Sequence, residues 1–437
     1  MSNISYEYIV IGTGPGGATV ARELARAGKN VLMIEKGRQH ETGLGFPLGM
    51  RILEGFGYLN RTVEGVLIAR GITVGGSSMV YNANVYDPPA WLYATMGLDF
   101  QQETQEIKNE IGVRTLPDDF FHHCHGGNKV RAAAEKMGIP FQAQEKFIDP
   151  TLCKIGCDWC MLGCRRNAKW TTREYVREAL QNKATLLHTT PVEKIITDRK
   201  QKAIGVQLKN GTIVHGDKIV LAAGGIGSAE ILHNSEMPGV GTNFFLDPMN
   251  VIVGYAKEKS GGAWGEMTFS HAIQHYEESE GFIIGNISAS YAAITASVRF
   301  NVFKKNWWKA LPALKRGIGL FVKIADSPQG EVKKDGRISK VLTEEDRAKM
   351  GHGTDIAREI LIKAGIPPAS IVVAERMGGH PGGTAAMGRI VNQKFETEFQ
   401  NLYICDASIL PVSPGVPPTL IILALSKFFT KLLLAKG

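Results

Sequence analysis

Residues Tyr6 to Glu35 constrain the fold more than any other stretch of the chain. Tyr6–Ile11 reads as a buried strand that ends at Gly12-Thr-Gly14-Pro-Gly-Gly17. A helix is expected over 18–27 and a second strand over 31–35. Gly12 permits the tight turn, Gly14 lets the backbone approach a pyrophosphate, and Gly17 lets helix and strand pack closely. The helix amino terminus offers free N–H groups to a phosphate. Glu35 lies 18 residues after Gly17, where a carboxylate accepts hydrogen bonds from both hydroxyls of an adenosine ribose. A glycine-rich turn alone is a weak sign. Strand, turn, helix, strand and acidic end in this order predict a dinucleotide-binding βαβ unit.

A second junction of the same kind follows. Short alternating strands are expected over 192–197 and 203–208, with Asn210-Gly211 as a hairpin turn. Lys218–Ala223 then reads as a buried strand feeding Gly224-Gly225-Ile-Gly227-Ser228 and a helix from Ala229, able to close on the same nucleotide. Residues from about 246 to 370 lack this signature, and Phe282–Val298 alternates as strands of a covering sheet do. At about 150 residues per domain, 437 residues make two or three domains.

Three further segments resemble, in order and spacing, the glucose-methanol-choline family of FAD oxidoreductases. They are Arg70-Gly-Ile-Thr-Val-Gly75-Gly76-Ser77-Ser78, the Ala222–Ser228 junction, and the pair His380-Pro-Gly-Gly-Thr-Ala-Ala-Met387-Gly388 and Asn401–Ser408. The resemblance implies an α/β fold: a Rossmann-like FAD-binding domain from discontinuous segments (1–95, 186–245 and 372–437) and a smaller α+β substrate domain with an antiparallel sheet (246–371), joined by 96–185. It implies that Gly12, Gly14, Gly17 and Glu35 hold the ADP half of FAD, and that Gly75, Gly76 and Ser77 lie against the pyrophosphate and isoalloxazine. Asp406 and Ala407 complete the pyrophosphate and ribityl contacts. A helix starting at Pro418 and Thr419 points its positive end at the flavin.

His380 matches the family's catalytic histidine, whose imidazole can hold or accept the hydroxyl proton while hydride passes to the flavin. The family's usual second catalytic residue, asparagine or histidine, is replaced here by Pro417, which has no side-chain donor or acceptor. Either another residue substitutes, with Tyr81 and Asn82 as candidates, or the chemistry differs.

Four of the six cysteines, Cys153, Cys157, Cys160 and Cys164, fall in one C-x3-C-x2-C-x3-C run. This is near the ferredoxin-type spacing, although Arg165 stands where proline is usual. An iron-sulfur cluster, free thiols or a disulfide, and zinc are the open readings. Cys124, among His122, His123 and His125, is a weaker metal candidate against a solvated loop.

The net charge of +8 is concentrated: Lys304, Lys305, Lys309, Lys315, Arg316 and Lys323 occur without an acidic residue among them. Interleaved Trp307, Trp308 and Leu311 make 304–323 amphipathic, as expected of a face lying peripherally on an anionic membrane or docking an acidic redox partner; a solvated face is the alternative. No recognition motif accompanies the charge, which argues against nucleic acid. The polar start, with no basic-then-apolar segment, leads to the expectation of a cytoplasmic protein. Together these readings predict an FAD-dependent dehydrogenase oxidising a small alcohol-type substrate, with electrons leaving through a cysteine-bound centre to a small redox protein or quinone. A reductase or desaturase at a carbon–carbon bond and a flavin/cysteine redox sensor are the alternatives.

Overall fold

Apolar residues buried on both faces call for a parallel sheet covered by helices, and that is what the first 35 residues build. The computed structural model describes residues 5–40, 60–157, 160–258, 262–288, 315–373 and 376–435. Strand β1 (Tyr6–Ile11) pairs in parallel with β2 (Val31–Ile34) in the register Tyr8↔Val31 to Ile11↔Ile34. Helix α1 (Pro15–Arg26) connects them. It opens three residues before the expected start, because Pro15 at the first turn pre-sets a helical φ. Gly12 has φ of +96°, and a Cβ there would stand 2.3 Å from the Ala222 carbonyl oxygen. A Cβ on Gly17 would meet the Gly12 carbonyl oxygen at 2.0 Å, so helix and turn are in backbone contact as expected.

The sheet continues through β3 (Thr185–Leu187) beside β2, then β4 (Val192–Thr197), β5 (Ala203–Leu208) and β6 (Ile213–Leu221). The first part of β6 pairs antiparallel with β5, and the part from Gly216 onward pairs in parallel with β1. The Leu402–Ile404 strand lies parallel to β6 on its other side, with Leu221 opposite Ile404. The parallel strands therefore bring Gly12, Glu35, Ala222 and Cys405 to one carboxyl-end edge, where α/β sheets bind ligands.

A second sheet is antiparallel at its centre. Strand β7 (Pro248–Tyr255) pairs with β9 (Gly317–Ile324), which also pairs with β8 (Phe282–Ile287). Helix Glu344–Lys363 covers one face, packing Met350, Ala357, Ile360 and Leu361 against Ile252, Leu320 and Val322. Segments remote in the chain join this sheet: Leu67–Ile68 pairs with Met377–Gly378, and Gln142–Ala143 with the His271–Ile273 strand. The expected strand over 282–298 is described only to residue 288.

The amphipathic reading of 304–323 needs correction where it can be followed. Residues 317–323 belong to β9, which is buried throughout, and Lys323 is 3% exposed. That lysine belongs to the interior and contributes nothing to a surface patch. Residues 304–314 lie outside the described residues. The carboxy-terminal apolar run is a helix, Thr419–Ala435. Its two lysines face a neighbouring acidic helix, Gln101–Ile111, where Lys431 Nζ is 2.7 Å from Glu103 and Lys427 Nζ 3.0 Å from Glu106. Among the described residues no helix is long and apolar enough to cross a membrane.

Candidate active site

A single cavity of about 660 Å³ runs along the carboxyl edge of the parallel sheet into the antiparallel one. At one end the glycine loop is organised by Glu35. Its Oε2 accepts from Thr13 N at 3.0 Å and Thr13 Oγ1 at 2.8 Å, and its Oε1 from Gly37 N at 2.8 Å. Burial raises its pKa, although these three donors oppose the rise. Thr13 Oγ1 in turn accepts from Gly75 N at 3.2 Å, tying the first glycine loop to the second.

The helix Gly224–Asn234 opens at Gly224, five residues before the expected start. Its cap comes from far along the chain: Asp406 Oδ2 accepts from Gly224 N at 2.8 Å and from Ser228 Oγ at 2.6 Å. Asp406 Oδ1 accepts from Ser408 N at 2.7 Å. The carboxylate thus fastens the 401–408 segment to this helix start while both line the cavity.

Gly12, Gly14, Glu35, Gly76, Ser77, Asp406, Ala407, Pro418, Thr419 and His380 all line this one cavity. Gly17 and Gly75 stand behind its wall, Gly17 packed on Gly12 and Gly75 accepting from Thr172 Oγ1 at 2.8 Å. Three helix amino termini, at Pro15, Gly224 and Thr419, open onto the cavity, and a Cβ on Gly14 would meet nothing nearer than Gly76 Cα at 4.0 Å. Helix ends and bare backbone suit an anionic pyrophosphate, so the residues fit a dinucleotide.

The far end holds His380. Its Nδ1 lies 3.3 Å from Asp247 Oδ2, so the carboxylate accepts a hydrogen bond from Nδ1–H and leaves Nε2 as the basic nitrogen. The same Oδ2 is 2.5 Å from Lys323 Nζ, and Ser413 Oγ donates to Oδ1. Asp247 has a backbone φ of +50°, a conformation aspartate tolerates better than most residues. Burial would raise its pKa, but Lys323 and His380 together hold it below the usual carboxylate range. Burial, then the Lys323 charge, lowers the His380 pKa against the pull of Asp247. The imidazole that lines the cavity is therefore neutral at neutral pH.

The sequence reading does not single out Asp247, and it places Lys323 only in the basic run. The signal for Lys323 was present, a lone cation in an otherwise apolar eight-residue strand. Both sequence candidates line the cavity, Tyr81 with its hydroxyl already engaged. Tyr81 Oη donates to the Trp170 carbonyl at 2.7 Å, and the Asn82 carbonyl accepts from Lys146 Nζ at 3.1 Å.

The cysteine run meets the cavity wall through Met161. Lys169 Nζ ties it there, donating to the carbonyls of Cys160 at 2.7 Å, Met79 at 2.8 Å and Tyr81 at 3.0 Å. None of the four cysteines is in a disulfide, and burial pushes the Cys153 thiol up to about 12, with Cys160, Cys164 and Cys157 adding to the rise. Among the described residues no three His, Cys, Asp or Glu side chains form a metal-holding group, Cys124 and its histidines included. The described geometry therefore gives a cluster or zinc at this run no support. Iron and acid-labile sulfide analysis of protein purified without oxygen is expected to return neither in stoichiometric amount; one cluster per chain would contradict this geometry.

Family models described as GMC oxidoreductase match residues 6–249 and 322–426. The chain belongs to the GMC oxidoreductase family. It is therefore an oxidoreductase of a flavoprotein family whose members bind FAD. It is 26% identical to the uncharacterized protein MJ1450 of Methanocaldococcus jannaschii, over 98% of this chain and 99% of that one. It is 24% identical to long-chain-alcohol oxidase FAO4B of Arabidopsis thaliana, over 96% of this chain and 66% of that one. Pyridoxine 4-oxidase from Mesorbium loti shares the fold, with a TM-score of 0.72 and 16% identity over 98% of this chain and 99% of that one.

Proposed function

We propose that this GMC oxidoreductase binds FAD in the cavity and oxidises an alcohol to the corresponding aldehyde or ketone. The observation that carries the reading is His380, its Nδ1 on Asp247, at the end of a cavity whose other end is the Glu35 glycine loop. FAD, when bound, supplies the acceptor for the hydride leaving the alcohol carbon. Gly12, Gly14 and Glu35 hold the ADP half, Gly76, Ser77, Asp406 and Ala407 the centre, and Pro418 and Thr419 bring a helix amino terminus to the ring end. Gly17 and Gly75 act from behind, by holding these loops together. His380 Nε2 accepts the hydroxyl proton, and Asp247 holds the imidazole in the tautomer that can do so.

Apolar side chains line the substrate end, among them Met249, Phe269, Ile283 and Phe321, which favours a substrate with a hydrocarbon or aromatic body. The relatives named as alcohol oxidase and pyridoxine oxidase support the same class. An external acceptor, either oxygen or a small redox molecule such as a quinone, would take the electrons; the described geometry gives exit through a cysteine-bound cluster no support.

The test is anaerobic titration of the FAD-loaded protein with long-chain primary alcohols, benzylic alcohols and pyridoxine. Bleaching of the flavin absorbance by at least one, with aldehyde formed, is the expected result. Flavin that stays oxidised with every alcohol would refute the reading. Reoxidation by air, compared with reoxidation by a quinone, assigns the acceptor.

A further inference from the structure

We infer that Lys323 is a second catalytic residue, donating a hydrogen bond to the reacting substrate oxygen in the place that Pro417 leaves empty. The inference rests on the alcohol-oxidation reading above. Pro417 lines the cavity but offers neither donor nor acceptor. Lys323 lines the same cavity from β9, where an unneeded cation would be costly to desolvate. Its only charged partner among the described residues within ion-pair distance is Asp247, 2.5 Å away. That contact engages at most one of the three ammonium N–H groups, and no further acceptor among the described residues takes the others. A buried ammonium with unspent N–H groups, on the same carboxylate oxygen as the His380 imidazole, is aimed at a ligand oxygen.

The chemistry balances around that oxygen. The alcohol C–H bond breaks and its electron pair leaves with the hydrogen to FAD. The O–H proton goes to His380 Nε2, and the C–O bond becomes C=O. As that proton leaves, negative charge builds on the oxygen, and a pre-placed ammonium N–H stabilises it more than it stabilises the neutral alcohol. Asp247 favours the charged form of Lys323 against the effect of burial, without occupying all its donors.

Removing Lys323 alone would leave Asp247 buried and unpaired, so the decisive variant is Lys323→Met combined with Asp247→Asn, which keeps the local net charge and an acceptor for His380. The measurements are anaerobic flavin reduction by an alcohol the wild type oxidises, and binding of benzoate, read from the flavin absorbance of the FAD-loaded protein. Benzoate places a carboxylate oxygen at the polar end and its ring among Phe269, Ile283 and Phe321. The double variant is expected to hold flavin, to be reduced about 100-fold more slowly, and to bind benzoate about tenfold more weakly. Benzoate affinity within about threefold of wild type overturns the assignment whatever the rates, because Lys323 then only neutralises Asp247. If no alcohol reduces the wild type, the alcohol reading fails by itself, and benzoate binding still decides the role of Lys323.

Discussion

Replacing His380 with alanine is expected to slow anaerobic flavin reduction by about 10²- to 10⁴-fold while leaving the flavin bound. The size follows from what the imidazole does in this site. Asp247 Oδ2, 3.3 Å from Nδ1, leaves Nε2 as the basic nitrogen at the substrate end of the cavity. Of the other groups considered at that end, Tyr81 already donates its hydroxyl, and Lys323 is ion-paired with Asp247. Flavin retention is expected because the residues around the dinucleotide end, Glu35 and Asp406, make their hydrogen bonds without His380.

The same assignment fixes the sign of the pH dependence. Burial and the Lys323 charge lower the His380 pKa, so the imidazole stays unprotonated down through the ordinary histidine range. The wild-type kcat/KM should therefore begin to fall only below about pH 6.5, when the base becomes protonated. In His380→Ala that acid limb should be absent and the slow residual rate flat. Stopped-flow reduction across pH reads both effects. An alanine variant reduced at the wild-type rate, or one that keeps the acid limb, would remove His380 from the role of base.

Which parts of this picture a sequence can carry depends on where the deciding contact comes from. The Tyr6–Glu35 unit was legible because its constraints are local: Gly12 must turn, Pro15 must start a helix, and Glu35 reaches Thr13 within 22 residues. The early start of the Gly224 helix was not, because its cap is the Asp406 carboxylate, 182 residues away. The cysteine spacing permits convergence, but spacing alone does not aim the thiols, and among the described residues they form neither a disulfide nor a metal-holding group. Lys323 was misread as surface charge because it follows a basic run in the chain. Its partner, Asp247, lies 76 residues earlier and meets it only when β7 and β9 pair. The catalytic end of the cavity is thus the least local part of the fold, and the sequence pattern around each residue there describes a strand or a turn, not a site.

Replacing Asp247 with alanine is expected to destabilise the protein by about 3–5 kcal/mol, the range for breaking a buried ion pair by removing one partner. The side chain is fully buried and serves three groups at once: Lys323 Nζ, His380 Nδ1 and Ser413 Oγ. Its loss leaves the Lys323 ammonium in a strand with no carboxylate of its own. The nearby Asp326 cannot replace it, since that carboxylate is already paired with Lys340 Nζ at 2.8 Å and accepts from Asp247 N at 2.9 Å. Adding Lys323→Met to Asp247→Ala removes the stranded charge, and most of the lost stability should return, a coupling that urea denaturation of the wild type, the two single variants and the double variant measures directly. Activity should not return with it, because His380 then lacks the acceptor that sets its tautomer. A double variant no more stable than Asp247→Ala would mean that the aspartate holds the fold through Ser413 and the β7 approach instead, and that the lysine is not tied to it energetically.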